Sequence, residues 1–220
     1  MQVSALRPPV HAEQAAPDGL ALLEQFGTTL SLRRDQEVYS EGAPATGYYR
    51  VVTGCVRTVK LMADGRRQVC AFVLPGEMLG LDDMTQHDFG AEAVTETVLR
   101  HYSRRTVESL AESRPALSRA LRDLLLMKLH ASHQQLTLLG RKTAMERIAS
   151  FLLEMDQRIE RTGRAFLELP MGRTDIADYL GLTVETVCRL LTQMKREQTL
   201  SIARSGVELR NRTALRASAG

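Results

Sequence analysis

The spacing of hydrophobic residues along this chain changes period twice, and each change marks a unit of structure. From Thr28 to Tyr102, apolar and polar positions alternate in short runs, the pattern of strands with one buried face. Leu30 and Leu32 open it, and Val38 to Ser40 lead into a turn at Gly42-Ala43-Pro44. YYRVV, a turn at Thr53-Gly54 and CVRTVKLM follow. Asp64-Gly65 predicts a hairpin whose two turn residues both take positive φ. QVCAFVL breaks at Pro75-Gly76, and Ala91 to Tyr102 supplies one or two more strands. Strands this short and closely spaced predict a small antiparallel β-roll within residues 19–114, with a short amphipathic helix at Gly19 to Phe26. Residues 1–18 carry Pro8, Pro9 and Pro17 without a sustained period and predict a flexible tail.

At Pro115 the period becomes helical. Residues 115–139 predict one helix of about 25 residues, some 37 Å long. It carries two apolar stripes. Leu117, Leu121 and Leu124 form one, suited to covering the roll. Leu125, Leu129, Ser132, Leu136 and Leu139 form the other, at steps of four and three. No carboxylate interrupts that second stripe, and its spacing suits a coiled-coil seam with a second copy of the same helix. Packing within one chain is the alternative.

After a hinge at Gly140, a helix from Arg141 to about Arg161 turns Ala144, Ile148, Phe151, Leu152 and Met155 inward, and Thr162-Gly163 stops it. AFLELPM predicts a short strand. The stretch from Gly172 to Lys195 then predicts two short helices around a tight turn. Ile176, Ala177 and Leu180 line the inner face of the first, Gly181 supplies the bend, and Leu182 plugs the corner. Thr183 caps the second, whose Val187, Leu190, Leu191 and Met194 face inward. A final hairpin, Ser201 to Ala203 and VELR about Ser205-Gly206, completes a winged helix-turn-helix over residues 140–212. Residues 213–220 predict a second flexible tail. The fold class is α+β: β-roll, long dimerisation helix, winged helix-turn-helix.

Composition narrows the function classes. At 220 residues, with 44% hydrophobic and 25% charged, the chain holds one large or two small globular domains. It contains no apolar run of about 18 residues and no secretory h-region, which predicts a cytoplasmic protein without a membrane partner. Cys55, Cys70 and Cys188 stand far apart without a CxxC pair, so neither a metal site nor an iron–sulfur cluster is expected, and the thiols read as free. No nucleophile–base pair or phosphate loop is visible, which argues against an enzyme. Residues 140–212 hold thirteen Lys/Arg against ten Asp/Glu, whereas residues 1–139 hold fifteen against sixteen. The basic excess falls on the part with the helix-turn-helix, in the sense that nucleic acid requires.

This order of units, together with PGEMLG at Pro75 to Gly80, LLGRKTAMERIASFLLEM at Leu138 to Met155 and DIADYLGLTVETVCRLL at Asp175 to Leu191, resembles the CRP/FNR superfamily of bacterial transcription regulators. The resemblance covers nearly the whole chain, from about Leu20 to Arg210. It departs from the cyclic-AMP-binding branch, which follows its GE motif with an Arg-Ser/Thr-Ala segment: Asp88-Phe89-Gly90-Ala91 stands here, without arginine or hydroxyl. Glu77 then reads as a buried or turn-capping residue. The oxygen-sensing branch carries an N-terminal cysteine cluster, which this sequence lacks. What remains is most similar to the FixK-like branch, which has no known cofactor and activates genes for low-oxygen respiration, nitrogen fixation and denitrification. The alternatives are a regulator with an unrecognised effector in the roll, or a cyclic-nucleotide-type regulatory module of an enzyme or channel. His130 and His133 read as solvated helix residues rather than haem ligands.

The resemblance implies a homodimer on a TTGAT…ATCAA-like near-palindrome, with RNA polymerase as a further partner through the loop Asp82 to Phe89. The family's recognition pattern E-x-x-S-R falls on Glu185, Cys188 and Arg189, which share one face at i, i+3 and i+4. Arginine pairs with guanine O6 and N7, and glutamate accepts from a cytosine amino group. Arg173, Thr174, Thr183, Thr192, Lys195 and wing residue Arg204 are candidates for phosphate contacts. Cys188 replaces the usual serine. It reads either as a tolerated replacement or as a redox switch, being a first-turn thiol beside a guanidinium.

Overall fold

A computed structural model describes residues 19–81, 85–159, 166–204 and 206–220. The expected tail at 1–18 and the helix stop at Thr162-Gly163 lie outside these residues. A 3-10 helix, Leu20–Phe26, precedes two four-stranded antiparallel sheets. The strands are β1 (Thr28–Leu32), β2 (Glu37–Tyr39), β3 (Gly47–Thr53), β4 (Val56–Leu61), β5 (Arg67–Val73), β6 (Met78–Leu79), β7 (Gly90–Ala93) and β8 (Thr97–Ser103). One sheet runs β1-β8-β3-β6 and the other β2-β7-β4-β5. Tyr39, Tyr49, Val51, Val56, Val73 and Leu99 fill the space between them. The alternation thus builds the expected β-roll.

Two of its turns show how local chemistry sets backbone geometry. At Leu74-Pro75-Gly76-Glu77 the Glu77 N–H returns to the Leu74 carbonyl at 3.0 Å, with Gly76 at φ 89°. That is a type II turn, which needs positive φ at its third residue. The Asp64-Gly65 turn corrects the sequence expectation: only Gly65 has positive φ, at 82°. Gly65 N–H bonds to Met62 O at 2.9 Å, and Met62 N–H bonds to Arg66 O at 2.8 Å. The loop therefore holds three residues, a type I turn closed by a left-handed glycine. The Asp64 carboxylate accepts from the Arg66 backbone N–H at 3.1 Å, which fits a loop with Asp64 in ordinary negative-φ geometry.

Helix α1 (Arg104–Ser113) has no counterpart in the hydrophobic pattern; it starts directly from β8, with Ser103 accepting from the Thr106 N–H as its cap. Helix α2 (Pro115–Arg141) is the long helix, and its first stripe behaves as expected. Leu117 and Ala120 are buried, and Leu121 and Leu124 pack beside them against Leu20, Leu23, Tyr48, Tyr102 and Val107. Leu125, Leu129, Ser132 and Leu136 of the second stripe are exposed, Leu136 at 69%. Leu139 leaves that face and packs on the C-terminal core instead. A straight helix of 3.6 residues per turn drifts off a 3.5-residue stripe, and the last turn of α2 lies under the C-terminal unit.

The chain break also falls later than Gly140. Helix α2 runs on to Arg141, and Lys142 is the extended residue, with ψ 143°. Arg147 clamps the break by donating to Lys142 O, Leu139 O and Leu180 O at 2.8–2.9 Å. Helix α3 (Ala144–Arg158) begins with a capping box between Thr143 and Glu146. Then follow β9 (Phe166–Glu168), α4 (Arg173–Leu180), α5 (Val184–Arg196), β10 (Leu200–Ala203), β11 (Gly206–Leu209) and α6 (Arg212–Ala217). The three strands form one antiparallel sheet, ordered β10-β11-β9.

The predicted C-terminal tail is corrected by α6. Its Asn211 caps the helix, Leu215 and Ala219 are buried, and Lys142 Nζ donates to Ala219 O at 2.6 Å. Arg212 also pairs with Asp156 through two 3.0 Å bonds. The short segment is weakly apolar, but these contacts anchor it to the C-terminal unit.

The C-terminal core continues without a gap into the outer face of β4 and β5. Val59, Val69 and Phe72 from the roll join Ile148, Phe151, Met155, Tyr179 and Leu180. Phe151 is fully buried and lies 6.4 Å from Phe72 and 5.8 Å from Tyr179, ring centre to ring centre. Phe151→Ala is expected to destabilise the chain by about 3–5 kcal/mol. Urea unfolding followed by circular dichroism measures this, as a lowered midpoint.

Candidate nucleic-acid interface

Helices α4 and α5 form the helix-turn-helix. Gly181 ends α4 at φ 61°, a left-handed conformation that glycine adopts without a Cβ penalty. Its N–H and that of Leu182 both return to the Ala177 carbonyl, so the chain leaves α4 sharply at Gly181. Thr183 then caps α5, its hydroxyl oxygen accepting from the Thr186 N–H at 3.2 Å. Ile176, Ala177 and Leu180 of α4 and Val187, Leu190, Leu191 and Met194 of α5 are buried together, as their spacing predicts.

The opposite face of α5 is exposed. Glu185, Cys188 and Arg189 stand there at the helix N-terminal end, the part that enters the major groove in helix-turn-helix proteins. Cys188, Arg189, Thr192, Gln193 and Arg196 line an open concavity of about 430 Å³. Gln193 and Arg196 are additions to the expected site. Their signal is the i+4 step from Arg189 and Thr192, which continues the reading face by another turn.

The expected phosphate contacts are placed unequally. Thr174, Lys195 and Arg204 are exposed. Thr183 is exposed too, but its oxygen already serves the cap and lies 2.9 Å from the Thr186 hydroxyl. Thr192 donates its hydroxyl to Cys188 O at 2.8 Å, so its proton is committed to the helix. Arg173 is half-buried; burial draws its pKa below the usual arginine value, and the Cys188 sulfur beside it pulls the other way.

The three thiols differ sharply. Cys188 is exposed, Cys70 is partly covered and Cys55 is buried. Burial pushes Cys55 up to about 12 and raises Cys70 as well, which keeps both in the unreactive thiol form.

Asp88-Phe89-Gly90-Ala91 offers no guanidinium for a phosphate. The Glu77 carboxylate caps its own turn by accepting from Leu74 N–H at 3.0 Å, and also pairs with Arg158 at 2.9 Å. His130 and His133 are exposed on α2. Among the described residues no helix is long and apolar enough to cross a membrane.

A β-roll joined through a long helix to a winged helix-turn-helix with an open polar reading face defines a two-domain DNA-binding regulator. Residues 29–114 match the cyclic nucleotide-binding domain model and residues 146–218 the Crp-like helix-turn-helix domain model. The nitrogen fixation regulation protein FixK of Azorhizobium caulinodans is 43% identical over 195 residues, spanning 87% of this chain and 79% of that protein. FixK of Bradyrhizobium diazoefficiens is 36% identical over 188 residues, 84% of this chain and 79% of the relative. Among solved structures, FixK2 from Bradyrhizobium japonicum aligns with TM-score 0.84 and 44% identity over 88% of this chain and 98% of that one. TTHB099, a CRP-family transcriptional regulator from Thermus thermophilus, aligns with TM-score 0.73 and 26% identity, covering 87% and 96%. The chain belongs to the CRP/FNR family of transcription regulators, as a FixK-like member, and its relatives are regulators rather than enzymes.

Thr183→Ala removes the cap of α5 and is expected to cost about 1 kcal/mol of stability. Thermal unfolding of the full chain, parent against variant, measures it.

Proposed function

We propose that this FixK-like regulator binds a TTGAT…ATCAA-like near-palindrome as a cytoplasmic homodimer and activates genes of low-oxygen metabolism, nitrogen fixation or denitrification. The relatives' role in nitrogen fixation regulation supports the gene class. The observation that carries the DNA reading is the exposed triad Glu185, Cys188 and Arg189, held on a helix whose other face is fully engaged in the core. Arg189 gives a bidentate pair to guanine, and Glu185 accepts from cytosine and steadies Arg189. Arg173, Thr174, Thr183, Lys195 and Arg204 serve as phosphate contacts that set register, whereas Thr192 spends its hydroxyl proton on Cys188 O.

The exposed stripe Leu125, Leu129, Ser132 and Leu136 supports pairing of two long helices, which gives a two-fold protein for a two-fold site. Leu139 contributes to the C-terminal core in place of the seam. Activation requires a surface for RNA polymerase, and the described part of the expected loop, Thr85 to Phe89, lies on the roll. Cyclic AMP is not needed in this reading, because the segment that would pair with its phosphate is Asp88-Phe89-Gly90-Ala91.

A gel shift with TTGAT…ATCAA DNA, with and without cyclic AMP, tests the proposal. Equal binding in both lanes is expected; absence of binding under any redox condition overturns it. Arg189→Ala is expected to weaken binding by roughly 5–150-fold and to relax preference at the contacted guanine. Titration against single-base variants of the site reads both effects.

Cys188 extends the proposal to redox control. Its thiol is exposed on the reading face, while Cys55 is buried and Cys70 partly covered. Peroxide transfers an oxygen to such a thiol, and further oxidation leaves an anionic sulfur oxyacid facing DNA phosphates. Parent protein is expected to lose DNA binding after peroxide, and Cys188→Ser to keep it. Equal loss in both proteins leaves Cys188 as a plain serine replacement.

A further inference from the structure

The outer face of β4–β5 meets α3 and α4 through charges as well as through the aromatic trio Phe72, Phe151 and Tyr179. Arg57 on β4 donates to both carboxylate oxygens of Asp175 on α4, at 3.2 and 3.3 Å. The same guanidinium bonds to Glu92 at 2.6 and 2.9 Å and to Asp35 at 3.0 Å, all within the roll. Arg67 on β5 reaches Asp175 at 2.7 Å and Asp178 at 2.9 Å. The side chains of Arg57 and Asp175 are each only 8% exposed. On the other flank of the aromatic trio, Arg158 of α3 pairs with Glu77 at 2.9 Å and donates to Phe72 O at 2.5 Å.

An apolar contact alone tolerates sliding, because dispersion and burial have no preferred direction. A buried carboxylate does not, since leaving it unpaired in a dry interface is strongly unfavourable. Asp175 can be satisfied only where both arginines converge on it, so α4 has one permitted seat on the roll. Three facts make that seat relevant to DNA. Helix α4 is joined to α5 by a short turn of three residues, Gly181, Leu182 and Thr183. Arg147 ties the end of α4, at Leu180 O, to the end of α2, at Leu139 O. With α4 seated, the reading face of α5 remains open.

We infer that Arg57 and Arg67 are positioning residues for DNA recognition, which orient the reading helix from the roll through Asp175 and Asp178 without touching DNA themselves. The roll then acts as the seat that fixes the angle between the head and the long helix. This inference rests on the DNA-binding reading of α5.

The test uses the full chain, with DNA binding followed by fluorescence anisotropy on labelled TTGAT…ATCAA duplex. The parent is titrated first; if it does not bind, the DNA-site proposal fails before the positioning inference is engaged. Given parent binding, Asp175→Asn and Arg67→Gln are each expected to raise Kd by about tenfold, and the double variant by little more than the worse single, because the residues act as one unit. Arg67→Lys is expected to recover part of the loss. A merely structural role shows differently: it lowers the fraction of protein that binds at saturation and leaves Kd unchanged. Arg67 and Asp178 are partly exposed, so Arg67→Gln and Asp178→Asn keep the test decisive if Asp175→Asn does not fold. Folded variants of Arg67 and Asp178 with the parent's Kd overturn the inference.

Discussion

The buried pairing of Arg57 with Asp175 joins a strand to a helix 118 residues further along the chain. Charges removed from water in this way add little net stability compared with a well-packed apolar contact. They add direction instead. Phe72, Phe151 and Tyr179 supply the adhesive part of the same interface through apolar burial. The combination gives a joint whose strength is hydrophobic and whose angle is electrostatic. The rest of the molecule then has a consistent logic: a roll that offers a seat, a long helix that offers a spine, and a reading helix displayed by both.

The long helix divides its surface between two demands. Its N-terminal half is consumed by the roll, with Leu117 fully buried beside Val107 and Leu23. Its middle leaves Leu125, Leu129 and Leu136 in solvent, and Leu126 joins them at 57% exposed. Its last turn, at Leu138 and Leu139, is taken by the C-terminal core. A helix buried at both ends and apolar along its exposed middle is built for a partner of matching shape, which in the proposed dimer is the same helix.

Much of this was legible because the signals are local. Gly181 at a left-handed position, Thr183 as a cap and four inward residues on α5 all lie between residues 181 and 194, so period and punctuation identify the helix-turn-helix together. The expectation for Asp64-Gly65 missed the turn type, since a three-residue loop with one left-handed glycine uses the same dipeptide as a two-residue loop with two. Helix α1 was hidden because its cap, Ser103, is also the last residue of β8. Helix α6 was hidden because its order comes from Asn211, Arg212 and Leu215 acting with partners elsewhere in the unit. The Arg57–Asp175 joint was invisible for a plainer reason. No periodicity links residues that far apart, and each arginine alone reads as a solvated charge. On the candidate interface, residue type and helical face were readable from spacing, whereas the commitment of the Thr192 and Thr183 hydroxyls to backbone or neighbouring groups was not.

Geometry explains why angle matters more here than adhesion. Helix α5 has 13 residues and is about 20 Å long. Tilting it by about 10° moves its far end by about one base step, roughly 3.4 Å. In a dimer the two reading helices must also sit about one DNA turn apart, near 34 Å, so an error at each head adds across the two-fold axis. A loosely docked head would still fold, still expose Arg189 and still bind phosphates, yet its bidentate pair with guanine would fall out of register. An interface that fixes orientation by two arginines on one buried carboxylate suppresses that error at its source. The same constraint accounts for the placement of polar bonds at every junction leading to α5: Arg147 at the hinge, Arg158 on α3, and Arg57 with Arg67 beneath α4.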